Sequence, residues 1–189
     1  MDPLLRKRRS LRAFARTELS KEEIESFFEA ARWAPSCFNS QPWRFVATTK
    51  GPARDALDGA LSRGNAWARA APLLIAAGAR KQDGVVTDGR EYYLHDLGLA
   101  VENLLLEAAS RGWMAHPMAG FDAGVARAAV GGPRDWIIEA LIAVGHPGDP
   151  SSLDERTRAK DESPNERKSI DEVFQRDRYD FPEEARVGK

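Results

Sequence analysis

Three arginines and a hydroxyl crowd the start of the chain: Arg8, Arg9, Ser10 and Arg12. Guanidinium forks grip phosphate oxygens in bidentate fashion, and a serine hydroxyl adds a donor. The cluster suits an anionic ligand; its bland alternative is a solvated basic terminus. A second cluster is Pro35-Ser36-Cys37-Phe38-Asn39-Ser40-Gln41-Pro42-Trp43, in which two prolines stiffen a run of hydroxyl and amide groups. Such groups can read the edge of a planar polar heterocycle, with Trp43 packing nearby. They can equally satisfy their own backbone in an ordinary helix-to-strand turn. A third is His116-Pro117-Met118-Ala119-Gly120-Phe121-Asp122, whose small residues allow backbone to approach a flat ligand. Its plain reading is a strand-to-helix connection with Asp122 as cap. Finally, Arg167-Lys168 stand beside Ser169 in an acidic tail. They offer a second phosphate contact, or a solvated pair.

These clusters need elements to position them. Ser20 and Glu23 have the spacing of a capping box, so a helix is expected to start there. Ile24, Phe27, Phe28 and Ala31 then give it one apolar face. Residues 45–49 read as a strand. Pro52 opens a second helix, with Ala56, Leu57, Ala60 and Leu61 facing inward. Residues 73–77 form an apolar run suited to a buried central strand, and residues 78–90 read as a loop. Residues 92–110 read as a long helix, apolar over much of its circumference. Such a helix is buried centrally or lies in a subunit interface. A strand is expected to begin at Trp113 to Met114. A short helix follows from Asp122 to Val130, and a further strand covers residues 137–144. The charged remainder, 150–189, reads as a disordered tail or as an arm on a partner chain. Helices mixed with a few strands, without strict βαβ alternation, argue for an α+β fold.

Bulk properties exclude several classes. The net charge of −1 gives no global attraction to nucleic acid or anionic membrane, so any basic site is local. The lone Cys37 rules out an internal disulfide framework and a cysteine metal cluster. The spacing of His95, His116 and His146 suits no metal site, and each reads as structural or exposed. No apolar run has the length of a membrane span, and the N-terminus lacks a secretory signal, so a cytoplasmic protein is expected. Neither a Rossmann glycine fingerprint nor a P-loop is present.

Residues 8–14, RRSLRAF, and 35–43, PSCFNSQPW, resemble the opening of a nitroreductase-family flavoprotein. The resemblance continues in HDLGLAVENLLLEAASRGW (95–113), HPMAGFD (116–122) and ERKSIDEVF (166–174), in the family's order and over most of the chain. It implies one nitroreductase-like domain over 1–189, of α+β class. A central, mostly antiparallel sheet would be flanked by helices in an intertwined homodimer. Residues 150–189 would form a C-terminal arm around the partner subunit. FMN would occupy each of two interface sites. By similarity, Arg8, Arg9, Ser10 and Arg12 would hold the phosphate and the ring edge. Arg167, with Lys168, would close on the phosphate. Pro35, Ser36, Asn39 and Gln41 would arrive from the partner, with Cys37 as a small packing residue in the same loop. Asn65 would sit near the pyrimidine edge. Pro117, Met118, Ala119 and Gly120 would run along one ring face.

The implied activity is a flavoprotein oxidoreductase of nitroreductase type. It would take hydride from NADH or NADPH and pass two electrons to a nitroaromatic, quinone or other small acceptor, by a ping-pong mechanism. FMN does that chemistry, so no catalytic side chain is required. Some branches carry an acidic residue where Ala119 stands, and the chain is shorter than many relatives. Both leave the acceptor open. The same residues also allow a non-catalytic FMN-binding or redox-sensing module, or a dehalogenase or enone reductase on this fold.

Overall fold

A computed structural model describes residues 1–179 and 181. Its elements run α1 (Pro3–Lys7), α2 (Lys21–Arg32), β1 (Trp43–Thr48), α3 (Pro52–Ala60), β2 (Leu73–Arg80), β3 (Val86–Thr87), β4 (Arg90–Glu91), α4 (Tyr93–Ser110), β5 (Met114–Met118), α5 (Ala123–Ala129), β6 (Trp136–Gly145) and α6 (Glu155–Glu162). Strands β1, β2, β6 and β5 form one sheet in that order, and each neighbouring pair is antiparallel. The class is α+β, as expected.

Both faces of the sheet are covered, which explains the unbroken apolar run of β2. Leu73, Ile75 and Ala77 turn toward Phe27 of α2 and Leu97 and Leu104 of α4. Their neighbours Leu74 and Ala76 turn the other way, into a second core with Leu57 of α3 and Ala126 of α5. A continuous hydrophobic strand marks burial on two faces, which here occurs in an antiparallel sheet. Helix α2 starts where the sequence places it: Ser20 Oγ accepts from the Glu23 N–H, and Glu23 Oε2 accepts from the Ser20 N–H. Asp122 caps α5 by accepting from the Val125 N–H at 2.9 Å.

Four expectations need correction. Residues 78–90 are not a loop throughout: β2 continues to Arg80, and β3 and β4 form a small hairpin. Periodicity stopped short because Gly78 and Arg80 look polar or flexible, yet both pair with β6 across a bulge. The first strand starts at Trp43 and ends at Thr48. In α3, Ala56 faces solvent and Arg54 is buried instead. The tail also contains a helix, α6, capped by Asp154, which accepts from the Thr157 N–H. Its polar surface gave no hydrophobic period to detect. Residues 180 and 182–189 of the expected arm lie outside the described residues.

The N-terminal segment is held across one end of the sheet. Phe14 bridges to Pro147, the Ala15 N–H donates to the His146 carbonyl, and the Gly148 N–H donates to the Ala13 carbonyl at 2.7 Å. A side chain at Gly148 would stand 2.4 Å from the Phe14 carbonyl carbon, so only glycine permits this crossing. His116 of β5 is buried, and its Nδ1 lies 3.1 Å from the Leu11 carbonyl. Burial holds its pKa down to about 4, against the opposing Leu11 contact and with help from the Arg12 charge. The segment between α3 and β2, Arg63–Ala70, is tied down by Arg54. The Arg54 Nε donates to Asp58 at 2.9 Å, while its Nη2 reaches the Ala71 carbonyl at 2.8 Å and the Arg69 carbonyl at 3.3 Å.

Two outcomes are expected. Arg54→Ala leaves buried carbonyls unsatisfied and should lower stability by about 2–4 kcal/mol in urea unfolding. A change within about 0.5 kcal/mol would contradict that account. For His116, the unfolded ring protonates near its ordinary 6.5 and the folded ring only near 4. Its contribution is therefore complete above pH 6.5 and is lost as pH falls toward 4. The loss is on the order of 3 kcal/mol. Urea midpoints taken at about pH 7.5 and about pH 4.5 should fall further for the wild type than for His116→Asn; parallel falls would refute the linkage.

Candidate functional site

The seated N-terminal segment presents the arginine cluster to α6. Arg8 Nη1 donates to Ser10 Oγ at 3.2 Å, and its Nε lies 4.0 Å from Glu102 of α4. Arg9 Nη2 donates to the carbonyls of Asp161 and Ser163, both at 3.1 Å. A cation there satisfies the orphan carbonyls that end a helix and meets the negative end of its dipole. Arg12 is gripped twice by Asp161: its backbone N–H donates to Oδ2 and its Nη1 to Oδ1, each at 2.6 Å. The Asp161 side chain is only 7% exposed, so this pair is largely shielded from solvent. The Arg12 guanidinium also lies 5.8 Å from the Trp67 ring centroid. Trp67 in turn sits 4.6 Å from His116 and stacks on Phe14 at 6.1 Å, centroid to centroid.

Trp67 and His116 connect this cluster to the second part of the site. Asn65 Nδ2 donates to the Gly120 carbonyl at 2.9 Å, and the Ser62 N–H donates to the same oxygen at 3.1 Å. Leu61 bridges to Phe121, and the Asp122 N–H donates to the Ala60 carbonyl at 2.8 Å. A side chain on Gly120 would meet both Asn65 Nδ2 and Ser62 Oγ at 2.8 Å. Glycine there lets the amide close on the backbone ribbon. Along that ribbon Met118 is buried, Pro117 and Gly120 are half-buried, and Ala119 is exposed. Residues 8–12, 65 and 117–120 thus gather along the edge strand β5 and the ribbon that leaves it, although 105 residues of chain separate Leu11 from His116.

The loop after α2 is built separately. The Cys37 N–H donates to Asp96 Oδ2 at 3.0 Å, and His95 Nδ1 lies 3.0 Å from the other oxygen. Asp96 is wholly buried in the first turn of α4. The Gln41 N–H donates to Ser36 Oγ at 3.0 Å, and Gln41 Nε2 reaches Asn39 Oδ1 at 3.1 Å. Phe38, Asn39 and Gln41 all have positive φ, between 48° and 57°. This backbone turns Phe38 outward, where it is 86% exposed. Pro35 and Asn39 are exposed as well, and Cys37 is half-buried. Among the described residues, no hydrogen bond joins this loop to residues 8–12 or 117–120, and the buried Ser40 hydroxyl has no partner. Arg167 Nη1 donates to Asn165 Oδ1 and to the Glu166 carbonyl, and both Arg167 and Lys168 are exposed.

The chain therefore brings together one part of the predicted set and leaves the rest apart. Sequence reading missed Trp67, Ser62 and above all Asp161. Trp67 lies in the same short segment as Asn65, but no periodic signal distinguishes it. Asp161 stands 149 residues from Arg12, so no local pattern could pair them. Among the described residues, no cluster of histidine, cysteine and acidic residues could hold a metal ion, and no helix is long and apolar enough to cross a membrane.

Comparisons with known proteins converge. The chain is similar to the "Uncharacterized 15.4 kDa protein in ask 5'region" of Mycolicibacterium smegmatis, with 40% identity over 127 residues, covering 67% of this chain and 84% of that protein. It is 31% identical over 172 residues to the "Putative NADH dehydrogenase/NAD(P)H nitroreductase" of Xanthomonas oryzae pv. oryzae, covering 81% and 87% of the two chains. A crystal structure described as an oxidoreductase containing FMN superposes with a TM-score of 0.86 at 29% identity, over 96% of this chain and 94% of that one. The Nitroreductase family model matches residues 5–81 and 60–146. Those matches take in all four strands of the sheet, and the chain belongs to the nitroreductase family.

Proposed function

We propose that this chain binds FMN and works as an NAD(P)H-dependent oxidoreductase on a small acceptor. The observation that carries the reading is the convergence of the arginine cluster with the Asn65–Gly120 ribbon. The donor set has the right chemistry for the cofactor. Guanidinium and hydroxyl donors at Arg8, Arg9, Ser10 and Arg12 match a phosphate and a carbonyl-bearing ring edge. Asn65 offers an amide to the pyrimidine edge. Pro117, Met118, Ala119 and Gly120 supply a flat backbone wall with little side-chain bulk. When bound, FMN would accept hydride from a nicotinamide donor and pass two electrons to a nitroaromatic, quinone or other acceptor at one shared site.

The protein's part is to bind, orient and set local charge. Asp161 holds the Arg12 guanidinium in place and moderates its charge, so Arg12 meets the ring edge as half of an ion pair. Trp67 and His116 shield that pair from water. Arg167, with Lys168, would approach the phosphate from the C-terminal side. The loop carrying Pro35, Ser36, Cys37, Asn39 and Gln41 is turned outward and stands apart from its own chain's cluster. That placement supports a homodimer in which each loop completes the partner's site, with residues beyond α6, a helix tied to Arg9 and Arg12 of its own chain, lying against the other subunit.

Purified protein should be yellow, and FMN titration followed by flavin fluorescence should saturate. Arg8→Ala and Ser10→Ala leave the Arg9 and Arg12 ties to α6 in place, and each should weaken FMN about tenfold. Anaerobic addition of NADH or NADPH should bleach the visible band. Protein that neither holds nor takes up FMN would refute the reading.

A further inference from the structure

Next to the candidate flavin site lies a groove of about 690 Å³ that the roles proposed above leave unused. Arg12 and Trp67 line both. The remaining cations in its walls are Arg16, Arg63, Arg69, Arg156 and Lys160. Among the described lining residues the carboxylate is Asp154, and its oxygens are engaged at the start of α6. Oδ1 accepts from the Thr157 N–H at 2.9 Å and Oδ2 from the Thr157 hydroxyl at 2.7 Å. Arg69 leans on the Asp58 carbonyl at 3.4 Å. Among the described residues, Arg16, Arg63, Arg156 and Lys160 make no side-chain hydrogen bond or ion pair. In a chain of net charge −1, six cations face one carboxylate, Asp154, along this groove, and like charges gathered so closely repel one another. An anionic ligand would offset that repulsion. Ala66, Ala70 and Leu153 add apolar wall beside the Trp67 ring. Cations around a partly apolar cleft suit a nucleotide better than a bare ion.

We propose that this groove receives the adenosine half of the dinucleotide donor and, through Arg63 and Arg156, selects NADPH over NADH. The proposal rests on the reading of the chain as an FMN-dependent enzyme with a nicotinamide donor. The two donors share a pyrophosphate and differ only in the adenosine 2′-phosphate, a dianionic monoester near neutral pH. Guanidinium forks hold such a group in bidentate fashion. The cations beyond those that a pyrophosphate needs are what would separate the two donors. Arg12, common to both sites, would join the groove to the ring edge where hydride is delivered.

Two measurements on the full chain test this independently. Calorimetry compares 2′,5′-ADP with 5′-AMP and inorganic phosphate, none of which requires flavin. The wild type should bind 2′,5′-ADP at least about tenfold more tightly than either probe, and Arg63→Ala/Arg156→Ala should abolish most of that difference. Equal binding of 2′,5′-ADP and 5′-AMP, equal binding of inorganic phosphate, or a preference that survives in the variant would each overturn the assignment. Anaerobic rapid mixing of the FMN-loaded protein then gives the concentration dependence of reduction by each donor. The half-saturating NADPH concentration should rise about tenfold in the double variant, while that for NADH changes by less than about threefold. Arg63→Lys/Arg156→Lys should recover part of the NADPH effect. A chain that takes up no FMN overturns the proposed function alone, because calorimetry still judges the groove. Both arginines are exposed and, among the described residues, make no side-chain hydrogen bond or ion pair, and thermal unfolding checks that the variants remain native.

Discussion

The crossing of residues 13–15 over residues 146–148 seats the segment that carries the arginine cluster of the candidate site. It depends on backbone pairing and on the missing side chain at Gly148, where any Cβ would collide with the Phe14 backbone. Once the segment is seated, Phe14 stacks against Trp67, and Leu11 offers its carbonyl to His116. The arginines on either side then have fixed directions. A basic N-terminus of this composition would otherwise be a set of flexible solvated side chains, each losing appreciable rotamer entropy on binding. Here that entropy is already lost in the folded chain, so a ligand would meet donors held in position.

Buried polar side chains do similar work at two other places. Arg54 gathers the carbonyls of the segment that carries Asn65 and Trp67. Asp96 receives the Cys37 N–H and orients the loop that starts there. A buried polar group is costly unless its hydrogen-bonding capacity is met: Arg54 meets it largely with backbone carbonyls, and Asp96 with the Cys37 N–H and the His95 ring. The result is positional rather than energetic. Two irregular segments, without strand or long-helix partners of their own, acquire a single geometry. At one of them that geometry includes three non-glycine residues with positive φ, a conformation that persists only when surrounding contacts hold it.

Helix α6 shows how charge is distributed beyond the core. It buries no side chain completely, yet it engages Arg9 through its last carbonyls and Arg12 through Asp161. The same helix contributes Arg156 and Lys160 to the adjoining groove. One short polar element therefore neutralises one guanidinium and, among the described residues, leaves Arg156 and Lys160 without an ion pair. The near-zero net charge of the chain conceals this local separation.

Periodicity and capping chemistry by themselves determined the main elements. Ser20 with Glu23, Asp122 and the apolar run from residue 73 mark real boundaries, because those signals are local: a side chain meeting a backbone group three residues away, or a strand wholly covered. The ordered blocks also carried the family. The strand order of the sheet, the inward turn of Arg54 and the outward turn of Ala56 were decided only by tertiary structure. So was the helical state of residues 155–162, whose polar sequence buries nothing that a periodicity could report. Within the site, the sequence named Asn65 and Gly120 separately, and folding made them partners. Asp161 could be found in no other way. Its role comes from an electrostatic contact across 149 residues of chain, and a pairing of that range is fixed by where the sheet brings two segments together.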